Sequence, residues 1–369
     1  MNKTLKLLAV ATTVSVMALA GCGREEAAPA ASASGGASGA AAGFPKDSYI
    51  GVALPQKTSE NWVLAENLFK SDLGSAGYKF DVQFANSGVS EQQNQISTMV
   101  TKGAKVIVVG AIDGSQLGTQ VKQAHDAGAT VIAYDRLLLN TDAVDYYIAY
   151  DNRKVGQLQG QALLDGMAKK KAKGPYNIEL FAGSPDDANA KVFFNGAMDV
   201  LQPKIDDGTL KVVSGQTKFD QAVTQGWKAE NAQKRMDTLL SGKYTSEDLD
   251  GVLSPNDTLA RAILTSVKSA GKDIPVVTGQ DSEVESVKSI MAGEQYSTIN
   301  KDTRNLVKAS VDAVNALQSG AQVKVTDTSQ YNNGVKVVPA QLLEPVIVTK
   351  DNAAEAYAND PTLAPLTKG

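Results

Sequence analysis

The residues able to do chemistry in this chain cluster in one kind of place, directly after short apolar runs. Asp113 follows Val109, Asp135-Arg136 follows Tyr134, Asp151-Asn152 follows Tyr150, Ser184 to Asn189 follows Phe181, Asn256-Asp257 follows Leu253, and Gln280-Asp281 follows Val277. So many carboxylates could supply the acid and base pair that cleaves a glycosidic bond, or gather around a calcium ion. They could equally bind an uncharged, hydroxyl-rich guest, because Asp accepts a hydroxyl proton, Arg and Lys donate, and Asn does both.

The remaining residues favour binding without chemistry. The chain holds one histidine, His125, and one cysteine, Cys22, so no zinc or haem site can be assembled from it. His125 falls at the exposed end of an amphipathic stretch and reads as a surface residue. Asp186-Asp187 with Asn189 lacks the other ligands of a calcium loop. The Gly-x-Ser-x-Gly elbow, the Walker phosphate loop and the Rossmann glycine fingerprint are all missing. Lys and Arg total 36 against 40 Asp and Glu, a net charge of −4 without basic clusters, which argues against a nucleic-acid partner. No catalytic residue, metal ligand or cofactor is therefore assigned. The two tryptophans, Trp62 and Trp227, each open a helical stretch beside a strand-end loop, one in each half of the chain. A pyranose has apolar C–H faces and a hydroxyl equator, so two aromatic walls and a polar rim would suit it.

The elements that must carry these residues alternate regularly. Val106 to Val109 and Val131 to Tyr134 are β-branched runs of the kind buried on both faces of a parallel sheet. A helix is expected between them over 115–127, with Leu117, Val121 and Ala124 inward and Gly128 as its stop. The preceding helix is expected to be capped by Ser90, to bury Ile96, Met99 and Val100, and to end at Gly103. Further strands are expected over 49–54, 80–84, 147–150, 178–181, 210–213, 252–253 and 276–277. This is an α/β chain of two similar halves, with a break near Asp151-Asn152 where a helix over 155–168 begins. In open parallel sheets ligands bind beyond the carboxyl ends of the strands, where the polar residues above are found.

The N-terminus carries an address. Lys3 and Lys6 precede an apolar run from Leu7 to Leu19, too short to span a bilayer, that ends in Leu19-Ala20-Gly21-Cys22. Residues 1–21 read as a secretory signal peptide, and residues 22–43, mostly Ala, Ser, Gly and Pro, as a flexible tether. The Leu-Ala-Gly-Cys ending resembles the bacterial lipobox, which implies that Cys22 is lipidated and anchors an extracytoplasmic protein to a membrane.

From about Ser48 to Lys350 the chain resembles the substrate-binding proteins of bacterial ABC sugar importers, nearest to their xylose and multiple-monosaccharide branch. The resemblance is carried by Val131-Ile-Ala-Tyr-Asp-Arg136, Gly183-Ser-Pro-Asp-Asp-Ala-Asn-Ala-Lys191, Ser254-Pro-Asn-Asp257, and the stretch from Gly279-Gln-Asp281 to Arg304 with Gly293-Glu-Gln-Tyr-Ser-Thr-Ile299. It implies two doubly wound parallel-sheet domains joined by three crossover hinge strands, the type I periplasmic binding protein fold. One lobe would comprise 44–151 plus 303–317, the other 152–302 plus 335–349. It also implies that Trp62 and Trp227 stack on a sugar. Asp135 and Arg136 would bind from one lobe, and Asp187, Asn189, Asn256 and Asp281 from the other. Lys301 would reach the rim and Asp113 would serve as a support. Asn61 stands where xylose-type relatives often carry Arg, which leaves the preferred aldose open among xylose, glucose, galactose and arabinose. The implied partners of a monomer are a monosaccharide, the membrane subunits of an ABC permease and a chemoreceptor. A non-sugar polyol or an autoinducer is the alternative ligand. A sugar-responsive transcription regulator would need a DNA-binding headpiece where the leader stands, and a secreted sugar-processing enzyme would consume its sugar.

Overall fold

A computed structural model describes residues 43–368. The expected leader, Cys22 and nearly all of the tether lie outside the described residues.

The first part of the chain runs β1 (Tyr49–Leu54), α1 (Glu60–Ser75), β2 (Lys79–Phe84), α2 (Val89–Thr101), β3 (Val106–Val109), α3 (Gly118–Asp126), β4 (Thr130–Tyr134) and β5 (Tyr146–Tyr150). The second runs α4 (Asn152–Lys170), β6 (Tyr176–Leu180), α5 (Ala188–Asp206), β7 (Leu210–Val212), α6 (Phe219–Ala222), a 3-10 turn (Gln225–Trp227), α7 (Ala229–Lys243), β8 (Gly251–Leu253), α8 (Asp257–Ser269), β9 (Val276–Val277), α9 (Val284–Met291) and β10 (Ser297–Asn300). The chain closes with α10 (Thr303–Ser319), β11 (Ala340–Leu343), β12 (Val346–Thr349), α11 (Ala353–Ala356) and a last 3-10 turn (Ala364–Thr367).

Two parallel sheets result. One has the order β11-β5-β4-β3-β1-β2 and the other β7-β6-β8-β9, while β10 and β12 form an antiparallel pair. The strand residues alternate between two helical layers. Ile50, Val52 and Leu54 of β1 pack with Phe69 and Leu73 of α1 and Val307 and Val311 of α10, while Ala53 meets Ile96 and Met99 of α2. Strands covered on both faces must be apolar throughout, which is why Val106 to Val109 is a solid β-branched run, all four residues buried. Each such side chain removed from water contributes about 1.5–3 kcal/mol.

The chain passes between the sheets three times. It leaves β5 for α4 at Asp151-Asn152, returns from β10 to α10 at Lys301-Asp302, and crosses again from β11 to β12 at Glu344-Pro345. This is the two-lobed α/β fold the sequence implied, with one correction. The segment 335–349 does not go wholly to the second lobe. Ala340–Leu343 pairs in parallel with β5, and only Val346–Thr349 reaches β10. Pro345, which has no N–H to donate to a ladder, separates the two.

Two helix starts also differ from expectation. Gly88, at φ 107°, is the N-cap of α2, and Ser90 lies inside the first turn. The α3 helix begins at Gly118 rather than Ser115, because the Asp113 carboxylate holds the backbone N–H and hydroxyl of Ser115 and the amide of Gln116 in a preceding turn.

In the second lobe α4 and α5 pack with almost no space between them. A Cβ at Gly156 would fall 2.0 Å from the Phe193 carbonyl, and one at Gly196 would fall 2.3 Å from the Arg153 carbonyl. This close approach sets Asn152, at the start of α4, against Asn189, at the start of α5, where the lobes meet.

Candidate functional site

A cleft between the lobes encloses about 610 Å³ of non-protein space, its mouth included. Ten of the residues singled out from sequence line it: Asn61, Trp62, Asp135, Arg136, Asp187, Asn189, Trp227, Asn256, Asp281 and Lys301. Asp113 is absent from the lining. Its carboxylate is consumed by the turn that precedes α3, so the supporting role implied for it is corrected.

The first lobe's wall is Trp62, on the first turn of α1. Its ring meets Tyr134 edge-on at 6.1 Å, and Tyr134 in turn meets Phe69 at 5.2 Å. Asp135 follows β4 at φ 60°, a left-handed backbone that turns its side chain out of the strand direction. Arg136 donates from Nη1 to the Ala111 carbonyl at 3.1 Å, and its guanidinium lies 5.3 Å from the Trp62 ring centre.

The second lobe's wall is Trp227, which closes the 3-10 turn at φ 54°. Gly183 admits it, since a Cβ there would sit 2.1 Å from the indole. The indole Nε1 donates to Asp187 Oδ2 at 3.1 Å, while Asp187 Oδ1 caps α5 by accepting from the Asn189 N–H at 2.9 Å. Asn256 caps α8 by accepting from Leu259 N–H at 2.9 Å, which leaves its amide nitrogen for the cleft. Asp281, at φ 96°, stands 3.0 Å from Lys301 Nζ. Lys301 also lies over the Phe193 ring at 5.4 Å.

The walls touch across the cleft. Asn189 Nδ2 donates to the Asp135 carbonyl at 2.8 Å, Asn152 Nδ2 donates to the Tyr147 hydroxyl at 3.0 Å, and the Tyr147 hydroxyl lies 3.1 Å from Asn189 Oδ1. Arg136 Nε is 3.0 Å from Asp187 Oδ2, but its N–H is out of line with that oxygen. Nearer the mouth, Glu60 Oε2 accepts from Val284 N–H at 2.9 Å. A carboxylate of one lobe thus caps α9 of the other, whose own N-cap residue Glu283 makes no capping bond. These contacts define a closed arrangement.

Electrostatically the lining is nearly balanced, with Asp135, Asp187 and Asp281 against Arg136 and Lys301. Burial pushes the Asp135 carboxyl above its ordinary range, against the opposing pull of the Lys301 ammonium. Burial works against the Lys301 ammonium, yet Asp281, Asp135 and Asp187 hold it above the usual lysine value. A phosphate or carboxylate guest finds no excess of cations here. Two buried polar atoms of lining residues, Arg136 Nε and Gln280 Oε1, have no hydrogen-bond partner among the described residues. Arg136 Nε already faces the Asp187 carboxylate, so Gln280 Oε1 is the one of the two left open to a guest bearing hydroxyls.

Thr58, Ser59, Tyr134, Phe193, Thr303 and Leu306 also line the cleft and were not among the sequence candidates, and Gln280, noted in the sequence as a strand-end residue, lines it too. Phe193 had a usable signal, since it lies one helical turn after Asn189 and shares its face. Tyr134 and Gln280 directly precede Asp135 and Asp281. Nothing in the sequence pattern marks the others.

Comparison with known proteins agrees with this architecture. The family model for the periplasmic binding protein domain matches residues 50–322. The multiple sugar-binding periplasmic receptor ChvE of Rhizobium radiobacter is 53% identical over 308 residues, 82% of this chain and 87% of that protein. The D-xylose-binding periplasmic protein of Escherichia coli is 35% identical over 320 residues, 86% of this chain and 92% of that protein. Among solved structures, an ABC transporter solute-binding protein from Clostridium phytofermentans with bound β-D-glucose superposes with a TM-score of 0.83 at 39% identity, covering 87% of this chain and all (100%) of that one. By sequence and by fold, this chain belongs to the periplasmic binding protein family.

Proposed function

We propose that the chain is an extracytoplasmic receptor that closes on one monosaccharide and delivers it to an ABC permease. The cleft carries the reading: it takes one tryptophan from each lobe, its charges nearly balance, and the buried amide oxygen of Gln280 awaits a hydroxyl partner. An aldose in pyranose form would place its C–H faces on Trp62 and Trp227 and its hydroxyls toward Asp135, Arg136, Asp187, Asn189, Asn256, Asp281 and Lys301. Relatives that bind several sugars or xylose, and a neighbour that holds glucose, support this ligand class. The family consists of binding proteins, and no reaction is assigned to the cleft.

A sugar bonded to both lobes stabilises the closed form by its differential affinity for it, and closure is what a permease or chemoreceptor can read. We include in the proposal lipid anchoring at Cys22, a tether from Cys22 to Gly43, a monomeric state, and lobes divided at the three crossings. Palmitate labelling of the wild-type chain and of Cys22→Ser tests the anchor.

Calorimetric titration with xylose, glucose, galactose, arabinose, ribose and myo-inositol tests the ligand. One-to-one binding of a pyranose aldose is expected. Silence toward all six would overturn the sugar reading, and binding of myo-inositol alone would shift the ligand to a cyclic polyol.

A further inference from the structure

The carboxylate of Asp281 and the ammonium of Lys301 face the cleft from separate segments, yet one segment supports both from behind. Asp281 and Ser282 are consecutive non-glycine residues with positive φ, 96° and 54°, a backbone that persists only when its surroundings enforce it. On the strand side, Asp281 N–H donates to the Ile299 carbonyl at 2.9 Å, and Ser282 N–H to Thr298 Oγ1 at 3.2 Å. On the other side, the hydroxyl of Tyr357 donates to Ser282 Oγ at 2.7 Å. Tyr357 is 1% exposed and packs with Val287, Val348, Ala353 and Leu363.

Three residues further on, the same C-terminal segment grips the other partner. Asp360 pairs with Arg304 at 2.9 Å, and Arg304 binds Asp302, the residue after Lys301, at 2.7 Å. This segment follows the last strand and lies beyond the stretch matched by the family model.

We propose that the C-terminal segment is a bracket that sets the Asp281 and Lys301 side chains for ligand, with Tyr357 as a positioning residue acting through Ser282. The inference rests on the sugar reading above and adds a determinant that touches no ligand. The Tyr357 hydroxyl does not line the cleft, so its effect can reach a sugar only through the neighbouring backbone. Tyr357→Phe keeps the ring in its apolar nest and removes one hydrogen bond.

The test has two readouts. In the ligand-free protein, amide hydrogen exchange over residues 281–283 should quicken in Tyr357→Phe while β1 and β3 stay as protected as in wild type. For ligand, wild type and Tyr357→Phe are titrated with the best-bound aldose and with its monodeoxy analogues. The variant should bind the parent sugar roughly three- to tenfold more weakly, and the difference should vanish for the one analogue that lacks the hydroxyl received by Asp281. An equal loss across every analogue would show general loosening and overturn the positioning role, as would unchanged affinity with unchanged exchange. Failure of wild type to bind any aldose would count against the sugar reading, whereas the exchange result still decides whether Tyr357 holds this backbone.

Discussion

The two walls of the cleft perform matching tasks with different supports. Trp62 sits on a regular helix and is held by packing, its ring against Tyr134 and, through it, Phe69. Trp227 sits on a left-handed residue after Gly226, itself at φ 67°, and adds to its packing with Phe181 and Phe193 a hydrogen bond to Asp187 and the space at Gly183. Packing is non-directional and tied to global stability, whereas a hydrogen bond on a strained turn fixes one orientation and belongs to the site. The first wall should therefore couple binding to folding, and the second should separate them.

The largest expected effect tests this directly. Trp62→Ala should cost about 3–5 kcal/mol of unfolding free energy, as for other large aromatic truncations in a core, together with sugar affinity. Trp227→Ala should lower affinity at least tenfold, from lost apolar burial and ring contact, with a clearly smaller loss of stability. Urea titrations of the two variants beside calorimetry decide it, and equal destabilisation would erase the contrast. Next comes Asp187→Ala, which strips Trp227 of its acceptor, α5 of its cap and Arg136 of its facing charge. A loss of about 2 kcal/mol in stability is expected in the ligand-free protein, because within its own lobe α5 loses its cap and the buried Trp227 Nε1–H loses its acceptor.

A smaller effect is expected at the mouth. Glu60→Gln weakens the cap on α9 across the closed cleft without touching the sugar contacts, so sugar dissociation should speed up a few-fold while association and preference among epimers hold. Stopped-flow fluorescence separates these rates, and altered epimer preference would show that Glu60 contacts the ligand.

The least conspicuous difference lies behind the walls. Asp135 has the Lys301 ammonium opposing its burial, whereas Asp257 accepts from Gln295, Thr298 and the Glu283 N–H and has no cation among its partners. Burial first, then the Glu283 and Asp281 charges, push the Asp257 carboxyl well above its ordinary range. A raised folded value means that the folded chain keeps this proton to higher pH than the unfolded chain. The associated stability is present at low pH and is lost as pH rises from the ordinary carboxylate range through the raised value. Asp257→Asn should remove that slope, so the difference in melting temperature between variant and wild type should change sign or shrink between pH 7 and pH 5.

Much of this was legible in the sequence, for reasons that particular residues show. Val106 to Val109 could only be a strand covered on both faces, and polar residues following such runs had to gather at the carboxyl edge of a parallel sheet. What escaped depends on tertiary orientation. Thr303 and Leu306 reach the cleft only because the chain recrosses at Lys301. Asp113 was misassigned although the signal was present: Asp two residues before Ser115 closes a local turn, and a carboxylate so occupied is not free for a guest.

Among the described residues, the non-glycine positions with positive φ are Asp135, Asn140, Trp227, Asp281 and Ser282, and all but Asn140 are in or beside the cleft. Such positions tolerate few replacements, since most side chains raise the cost of a left-handed backbone. Lineages descending from this receptor would thus inherit Asp135, Trp227 and Asp281 nearly unchanged, whatever sugar they came to use. New preferences would arise instead at lining residues on ordinary helical backbone, Asn61 and Phe193, where exchange is not constrained by conformation. A randomised library confined to those two positions is the shortest route to a changed ligand.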